Sequence, residues 1–301
     1  MKVDEELVKK RIQIRFPNLQ LDTISLIGEG WDNLAYEVNE SFIFRFPKHE
    51  EACHLLQNEI NVLTEIHSWV GGTSIQIPRP IFVGNSGEDF PYSFCGYKKI
   101  PGRSACSFNL NEEDRIKLAP ELALFMKKLH AVPIDQATTW EIKGCAEDRM
   151  DPNLLMGRIK ENLHLLQNKN LLTDMGPFLD FLQRVPEQID RSKKTMLHGD
   201  LYARHLLLNN RKRLVGIIDW GDMDIDHPAI DYQIVYTFFP ESGQKIFFEI
   251  YGAIDADTQM LAKFRALYSA SGIAARGMHV HDDFLVQEGL WGLRNLLKVF
   301  S

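Results

Sequence analysis

Cysteine is scarce in this sequence of 301 residues, and its four cysteines are widely separated. They are Cys53, Cys95, Cys106 and Cys145, and no two of them form a CxxC pair. Structural zinc sites and disulfide frameworks need several cysteines at characteristic spacings. We therefore expect reduced thiols and no metal or disulfide framework built on them.

Long apolar runs and an excess of basic residues are also missing. No stretch approaches the roughly 18 apolar residues that a membrane-spanning helix needs, and the charged residues 1–6 do not resemble a signal peptide. We therefore expect a cytoplasmic protein without a membrane partner. The formal net charge is −7, which disfavours nucleic acid as a partner because a phosphate backbone requires a basic surface.

What is present is a folded chain long enough for two lobes, with 45% hydrophobic and 25% charged residues. Short β-like runs at 25–30, 34–38 and 42–46 precede a helical pattern over 50–68, and a strand pair follows at 81–84 and 92–97. Beyond residue 100 the pattern is mostly helical. One helix is predicted to begin at Asn111 and to kink or restart at Pro120, and residues 153–185 form another helical stretch. We place a domain boundary near residue 100, which divides the chain into 1–100 and 101–301.

The most informative segment is His198-Gly-Asp-Leu-Tyr-Ala-Arg-His205, followed by Ile-Ile-Asp219-Trp-Gly-Asp222. Between them, apolar residues 206–208 and 214–218 flank a polar turn at 209–213, which predicts a β-hairpin. The open end of such a hairpin brings the first motif beside Asp219. Phosphoryl transfer requires this combination, because one acid orients a hydroxyl group while other side chains hold Mg²⁺ against the phosphates.

Further candidates lie in the first lobe. Gly28 and Gly30 stand between two β-like runs, where glycine lets the backbone approach phosphates, although no Walker sequence is present. Arg45 is a cation inside a strand and could hold phosphate oxygens, with Lys48 as an alternative. Glu59 lies fourteen residues further on, in the helical pattern, where its carboxylate could fix the direction of Arg45.

These motifs, in this order, resemble the aminoglycoside phosphotransferase family of kinase-like enzymes. The fit is nearest to the aminoglycoside 2″-phosphotransferase and macrolide phosphotransferase branches. The resemblance covers residues 20–235 and is carried by the stretches 42–48, 95–102, 198–205 and 217–232. The last two stretches are the specific ones.

The resemblance implies an α+β, protein-kinase-like bilobal fold, with a small β-rich N-terminal lobe and a larger, mainly helical C-terminal lobe. ATP or GTP would bind between the lobes, against a hinge near residues 94–100. The residues implied to contact nucleotide are Gly28, Gly30, Arg45, Glu59, Tyr97 and Lys98. Asp200 would orient or deprotonate the acceptor hydroxyl as the catalytic residue.

The resemblance also implies that Mg²⁺ is bound by Asp219 and by His205, which stands where many family members carry asparagine. His198 is expected to support the loop, and Asp231 to cap or brace a helix. Acidic residues across 219–231 favour a cationic acceptor such as an aminoglycoside. Residues 278–283 are expected to form a solvated loop.

Three alternatives stay open at this point. The acceptor could be a non-antibiotic amino alcohol, a sugar or a macrolide. The chain could bind nucleotide without transferring phosphate, because Arg45 replaces lysine and His205 replaces asparagine. A metal-dependent hydrolase built on the residues of the two motifs is the third alternative. We expect a monomer that binds a nucleotide and a small hydroxylated substrate.

Overall fold

The computed structural model describes residues 3–142 and 148–300, so Cys145 lies outside the described residues. The N-terminal strands are β1 (Ile24–Glu29), β2 (Asn33–Val38), β3 (Phe42–Pro47), β4 (Pro80–Gly84) and β5 (Phe94–Lys98). They form one antiparallel sheet in the order β1-β2-β3-β5-β4. The strands predicted from the sequence are therefore confirmed.

The alternation of strand β3 divides the sheet into two faces. Phe44 and Phe46 pack in an apolar cluster with helix α1 (Glu5–Arg15), whereas Ile43 packs with Leu56 on the other face. Arg45 shares the face of Ile43, as a period of two requires. Helix α1 was not predicted, because charged residues surround its few buried apolar positions.

Helix α2 (Glu50–Val70) confirms the helical pattern over 50–68. Its first half contacts the sheet through Leu56, whereas Val62, Leu63 and Ile66 belong to the large apolar core of the C-terminal part. One helix thus packs against both parts of the molecule. This arrangement places Glu59, in the middle of α2, at the junction between them.

The C-terminal part is mainly helical. A helix begins after Asn111, as predicted, and Asn111 forms a capping box with Asp114 at its N-terminus. Pro120 lies in the first turn of a new helix, so the predicted restart is confirmed. The stretch 153–185 is not one helix, because the chain turns at Asn170, whose φ is 58°. The helices are α3 (Glu112–Ile116), α4 (Ala119–His130), α5 (Ile134–Thr138), α6 (Pro152–Asn168), α7 (Gly176–Leu182), α8 (Ala229–Phe238), α9 (Glu241–Tyr251), α10 (Ala256–His279) and α11 (Asp283–Phe300).

Short strands hold the motif region together. They are β6 (Arg103–Ser104), β7 (Thr195–Leu197), β8 (Leu206–Leu208), β9 (Leu214–Ile217) and β10 (Asp224–Asp226). The predicted hairpin is confirmed: β8 pairs antiparallel with β9, and the Asn209 amide donates to the Arg213 carbonyl at 3.0 Å. Strand β10 pairs with β7, so both motifs are bracketed by strand pairs.

The expected α+β architecture, with a small antiparallel sheet followed by a larger helical part, is confirmed. The boundary between 1–100 and 101–301 stays a prediction, because α2 packs in both cores. Among the described residues, no helix combines the length and apolar character that crossing a membrane requires.

Candidate active site

The loop that carries Asp200 begins directly after strand β7 and is tightly constrained. Gly199 has a φ of 88°, and a Cβ atom there would lie 1.9 Å from the Asp222 carbonyl oxygen, so the position requires glycine. Asp231, in the first turn of α8, accepts hydrogen bonds from the amides of His198 (2.8 Å) and Gly199 (2.9 Å). Asp231 therefore braces this loop and not a helix end.

Two histidines order the loop further. His198 is fully buried, and its Nε2 lies 3.1 Å from the Ile218 carbonyl oxygen, which agrees with the supporting role expected for it. His205 Nδ1 lies 2.7 Å from the Asp200 carbonyl oxygen. His205 thus makes a hydrogen bond within the loop, and His198 makes one to the residue that precedes Asp219.

The hairpin brings Asp219 to His205, as the spacing predicted. The Ile218 amide donates to the His205 carbonyl at 3.0 Å, and Asp219 then turns with a φ of 66°. His205 Nε2 lies 3.3 Å from Asp219 Oδ2, and His205 Nδ1 lies 3.7 Å from Asp200 Oδ2. His205 therefore stands between the two carboxylates.

Arg45 reaches the same place from the N-terminal sheet. Its Nη2 donates to Asp219 Oδ1 at 2.9 Å, and its Nη1 donates to Glu59 Oε1. Arg45 and Glu59 are buried, with 9% and 1% of their surfaces exposed. The expected pairing of Arg45 with Glu59 is present, and the contact with Asp219 links the sheet to the motif region.

The charges in this cluster shift one another's pKa values. Burial raises the pKa of Glu59 to about 7 even though Arg45 opposes the rise. Burial alone would lower the pKa of His205, but the hydrogen bond and charge of Asp219 raise it to about 9. The loss of solvent around Asp219 favours its neutral form, yet Arg45 and His205 hold its pKa well below the ordinary value. Burial and the charge of Asp200 raise the pKa of Asp222 to about 6.

Three adjoining cavities surround these residues. The glycine-loop cavity, of about 180 Å³, is lined by Gly28, Gly30, Trp31, Asp32, Asn33, Ala35, Arg45, Tyr97, Ile218 and Asp219. The central cleft, of about 630 Å³, contains both Asp219 and Asp200. The α10 pocket, of about 300 Å³, is lined by Asp200, Tyr202, Gln233, Leu285 and the α10 residues Arg265, Tyr268, Ser269, Gly272, Ile273 and Arg276.

The glycine-loop cavity contains five of the residues predicted to contact nucleotide or metal, namely Gly28, Gly30, Arg45, Tyr97 and Asp219. The Gly30 amide donates to the Asn33 carbonyl at 2.9 Å, which closes the loop. Lys98 is exposed and does not line this cavity. Lys48 is occupied by Glu29 and by the Gly30 carbonyl oxygen.

Arg149 is a site residue that sequence reasoning missed. Its Nη1 donates to the carbonyl oxygens of Gly199 (3.2 Å) and Asp222 (2.9 Å), and its Nη2 donates to Asp222 Oδ1 (3.0 Å). It therefore ties the loop of Asp200 to the loop of Asp219. No local pattern marks it, since it lies 50 residues before Gly199.

Several acids that suggested a cationic acceptor have structural partners. Asp226 lies 3.7 Å from Arg191, and Asp222 pairs with Arg149. Asp255, an acid outside the stretch 219–231, likewise caps α10 and pairs with Lys193. Residues 278–283 span the end of α10 and the turn into α11, where Asp282 pairs with Arg204 at 2.6 Å, so this segment is not simply a solvated loop.

The few possible ligands around Asp219 fit Mg²⁺, which keeps water and phosphate oxygens in its shell, better than a metal whose ligands are all protein side chains. Among residues 3–142 and 148–300, no group of three or more His, Cys, Asp or Glu side chains is arranged to hold a metal ion. Mg²⁺ commonly takes only one or two carboxylates and completes its shell with water and phosphate oxygens. The Asp219 side chain, 47% exposed, is open to the cavities. His205 would have to be neutral to serve as a second ligand.

The comparison with known families agrees with this geometry. Residues 23–267 match the model of the APH phosphotransferase enzyme family. The chain belongs to this family. Membership confirms both the resemblance identified from the motifs and the expected enzyme class, a phosphotransferase that acts on an alcohol group.

Solved structures of family members share the fold. A GDP complex of a mutant aminoglycoside 2′-phosphotransferase-IIIa is 25% identical with a TM-score of 0.72, covering 99% of this chain and 97% of that chain. A macrolide 2′-phosphotransferase type I is 18% identical with a TM-score of 0.60, covering 96% and 97%. The uncharacterized protein YcbJ of Bacillus subtilis (strain 168) is 32% identical over 57 residues, which span 19% of this chain and 19% of that relative.

Proposed function

We propose that the chain transfers the γ-phosphoryl group of ATP or GTP to a hydroxyl group of a small molecule, with Asp200 as the catalytic residue. The observation that carries this proposal is the sharing of two acids between adjoining cavities. Asp219 belongs to both the glycine-loop cavity and the central cleft, and Asp200 belongs to both the central cleft and the α10 pocket. A donor on one side and an acceptor on the other would meet between these two carboxylates.

Asp200 acts on the acceptor. Its carboxylate accepts a hydrogen bond from the acceptor hydroxyl and directs the oxygen toward the γ-phosphorus. The new oxygen–phosphorus bond forms as the bond to the bridging oxygen of the triphosphate breaks. The hydroxyl proton passes to Asp200, and the nucleoside diphosphate leaves.

Other side chains hold the donor. Gly28 and Gly30 line the glycine-loop cavity, where the phosphates would lie, and Arg45 would donate to their oxygens, with Glu59 fixing its direction. Tyr97 lines this cavity and would contact the nucleotide there, and Lys98 follows it in β5. Asp219 and His205 would hold Mg²⁺, which neutralises phosphate charge when it is bound.

An aminoglycoside-like acceptor is supported only by similarity to known enzymes: one similar solved structure, 25% identical, is that of an aminoglycoside 2′-phosphotransferase-IIIa. We include in the proposal a cytoplasmic location, a monomeric state and no nucleic acid partner. The net charge of −7 supports the last of these three.

The Asp200→Asn variant tests the proposal. The wild type, ATP or GTP, and Mg²⁺ are incubated with aminoglycosides, macrolides, amino alcohols, sugars and hydroxy acids, and mass spectrometry identifies the acceptor that gains one phosphoryl group. Asp200→Asn should bind nucleotide normally but lose about 10²- to 10⁴-fold in turnover, because it cannot take the proton. Asp257→Asn, an exposed acid on α10, is the matched control. Unchanged turnover in Asp200→Asn contradicts the proposal, and nucleotide binding without transfer to any acceptor favours the non-catalytic alternative.

A further inference from the structure

The α10 pocket has an unusual charge for a site that would accept a polycation. Its α10 residues recur at helical spacing from Arg265 to Arg276, so they form one face of the helix opposite Asp200. Two of its lining residues are arginines, and Asp200 is its one carboxylate. The wall that faces the catalytic residue is therefore cationic.

Arg265 is buried without a carboxylate partner. It is 6% exposed, its Nη1 donates to the Arg149 carbonyl oxygen at 2.7 Å, and its Nε has no hydrogen-bond partner. Within the described residues, no carboxylate lies at ion-pair distance from it. Burial lowers its pKa to about 10, so the side chain stays charged at neutral pH. A buried charge is costly unless an opposite charge compensates it.

Arg276 lies at the open end of the same face. It is exposed, and its guanidinium lies 5.8 Å from the centre of the Trp31 ring, which belongs to the glycine loop. It too makes no ion pair with any carboxylate in the part of the chain that the structure describes. By contrast, Arg115 and Arg204 in the same lobe pair with Glu288 and Asp282.

Gln233 adds a buried hydrogen-bond acceptor without a donor to the pocket. It is 2% exposed on helix α8, and its Oε1 has no donor among the described residues. A buried carbonyl oxygen without a donor costs free energy that a ligand hydroxyl would recover. The pocket therefore offers two cations and one hydrogen-bond acceptor in addition to Asp200.

We propose that the acceptor is a small hydroxylated compound that also carries an anionic group, a carboxylate or a phosphate, bound by Arg265 and Arg276. This inference rests on the proposed role of Asp200, because the hydroxyl of the acceptor lies at Asp200 while its anion lies at the arginines. A second hydroxyl would donate to Gln233. Arginine suits such a ligand because its guanidinium matches the oxygens of carboxylates and phosphates.

This acceptor differs from the cationic one that the acids of 219–231 suggested. Those acids are engaged elsewhere: Asp222 by Arg149, and Asp231 by backbone amides. The ammonium groups of an aminoglycoside would instead face two guanidinium groups in the α10 pocket. Like charges at close range oppose binding.

The test uses four sugars of similar size that differ in charge: glucose, glucosamine, gluconate and glucose 6-phosphate, with kanamycin as a polycation. Binding to the full chain with GDP and Mg²⁺ is measured by calorimetry. Gluconate or glucose 6-phosphate should bind at least about tenfold more tightly than glucose or glucosamine, because a charge-assisted contact contributes at least about 1.4 kcal/mol. Comparison of these two anions distinguishes a carboxylate site from a phosphate site.

Arg276→Glu should remove the preference for the anion and favour glucosamine. Arg294→Glu, an exposed arginine on α11, is the matched control and should keep the wild-type preference. Arg265→Gln tests the buried arginine of the pocket. Arg265→Lys, which keeps the positive charge, replaces it if Arg265→Gln does not fold. Equal binding of all four sugars, tighter binding of the cations, no binding at all, or no effect of Arg276→Glu overturns the inference.

Phosphoryl transfer is measured separately on the same compounds. Transfer to kanamycin without any binding of the anions would overturn the anionic acceptor and leave the proposed phosphotransferase function intact. Anion binding that depends on Arg276, without transfer from ATP or GTP to any of the compounds, would count against the proposed function and leave the charge preference of the pocket standing.

Discussion

Arg45 and Arg265 are both buried arginines beside the central cleft, yet their surroundings differ. Arg45 lines the glycine-loop cavity and donates to two carboxylates, Glu59 and Asp219. Arg265 lines the α10 pocket and donates to a carbonyl oxygen, with no carboxylate partner among the described residues. Both carry the same guanidinium group, so the difference lies in what the protein places around it.

The difference indicates that the two sides of the cleft compensate the charge of a buried arginine to different degrees. On the proposed nucleotide side, the charge of Arg45 is compensated within the protein, and an incoming phosphate would compete with Asp219 for Arg45. On the proposed acceptor side, the charge of Arg265 lacks a carboxylate partner among the described residues, and an incoming anion would supply one. Removing each arginine should therefore have unequal consequences for folding stability.

The largest effect is expected for Arg45→Met. This change leaves the Glu59 carboxylate buried without its partner, and loss of one member of a buried pair costs about 3–5 kcal/mol. The free energy of unfolding, measured in urea, should fall by that amount. Lys48→Met, which removes a partly exposed cation just after the C-terminal end of β3, is the control and should change stability by less than about 1 kcal/mol.

A smaller loss is expected for Arg265→Met. The change removes a charge that has no carboxylate partner and leaves the Arg149 carbonyl oxygen without that donor, which costs about 1 kcal/mol. The same urea titration measures it. A loss as large as that of Arg45→Met would mean that Arg265 is compensated within the protein, and the comparison between the two arginines would fail.

The smallest effect is expected when Arg45→Met is combined with Glu59→Leu. Replacing both members of a buried ion pair by apolar residues is often nearly neutral, so the double variant should lie within about 1 kcal/mol of the wild type. Stability would thus be recovered relative to Arg45→Met alone. If the two changes instead add, Arg45 stabilises the fold through contacts other than Glu59.

The sequence predicted the elements whose signals are local. The hairpin of 206–217 followed from apolar runs around a polar turn, and the approach of Asp219 to the loop of Asp200 followed from that hairpin. The pairing of Arg45 with Glu59 was also expected, because a carboxylate in the helical pattern after the strand could fix the direction of the strand cation.

Residues positioned by long-range packing could not be predicted in this way. Arg149 lies just before the start of α6, and Arg265 lies in α10. Both reach the site from distant parts of the chain, and neither belongs to a motif. The acids of 219–231 indicated a cationic acceptor because the sequence does not show their partners. These partners, such as Arg191 for Asp226, are distant in sequence and come close only in the folded chain. The position of a charged residue can be read from the sequence, whereas its oppositely charged partner is known only from the fold.

The most direct test of the central claim is a crystal structure with a non-hydrolysable GTP or ATP analogue and Mg²⁺. An Asp219 oxygen should lie about 2.1 Å from the metal, Arg45 should donate to a phosphate oxygen, and Asp200 should face the α10 pocket. A metal bound away from Asp219, with the Arg45–Asp219 pair intact and the phosphates elsewhere, would contradict the proposed donor site.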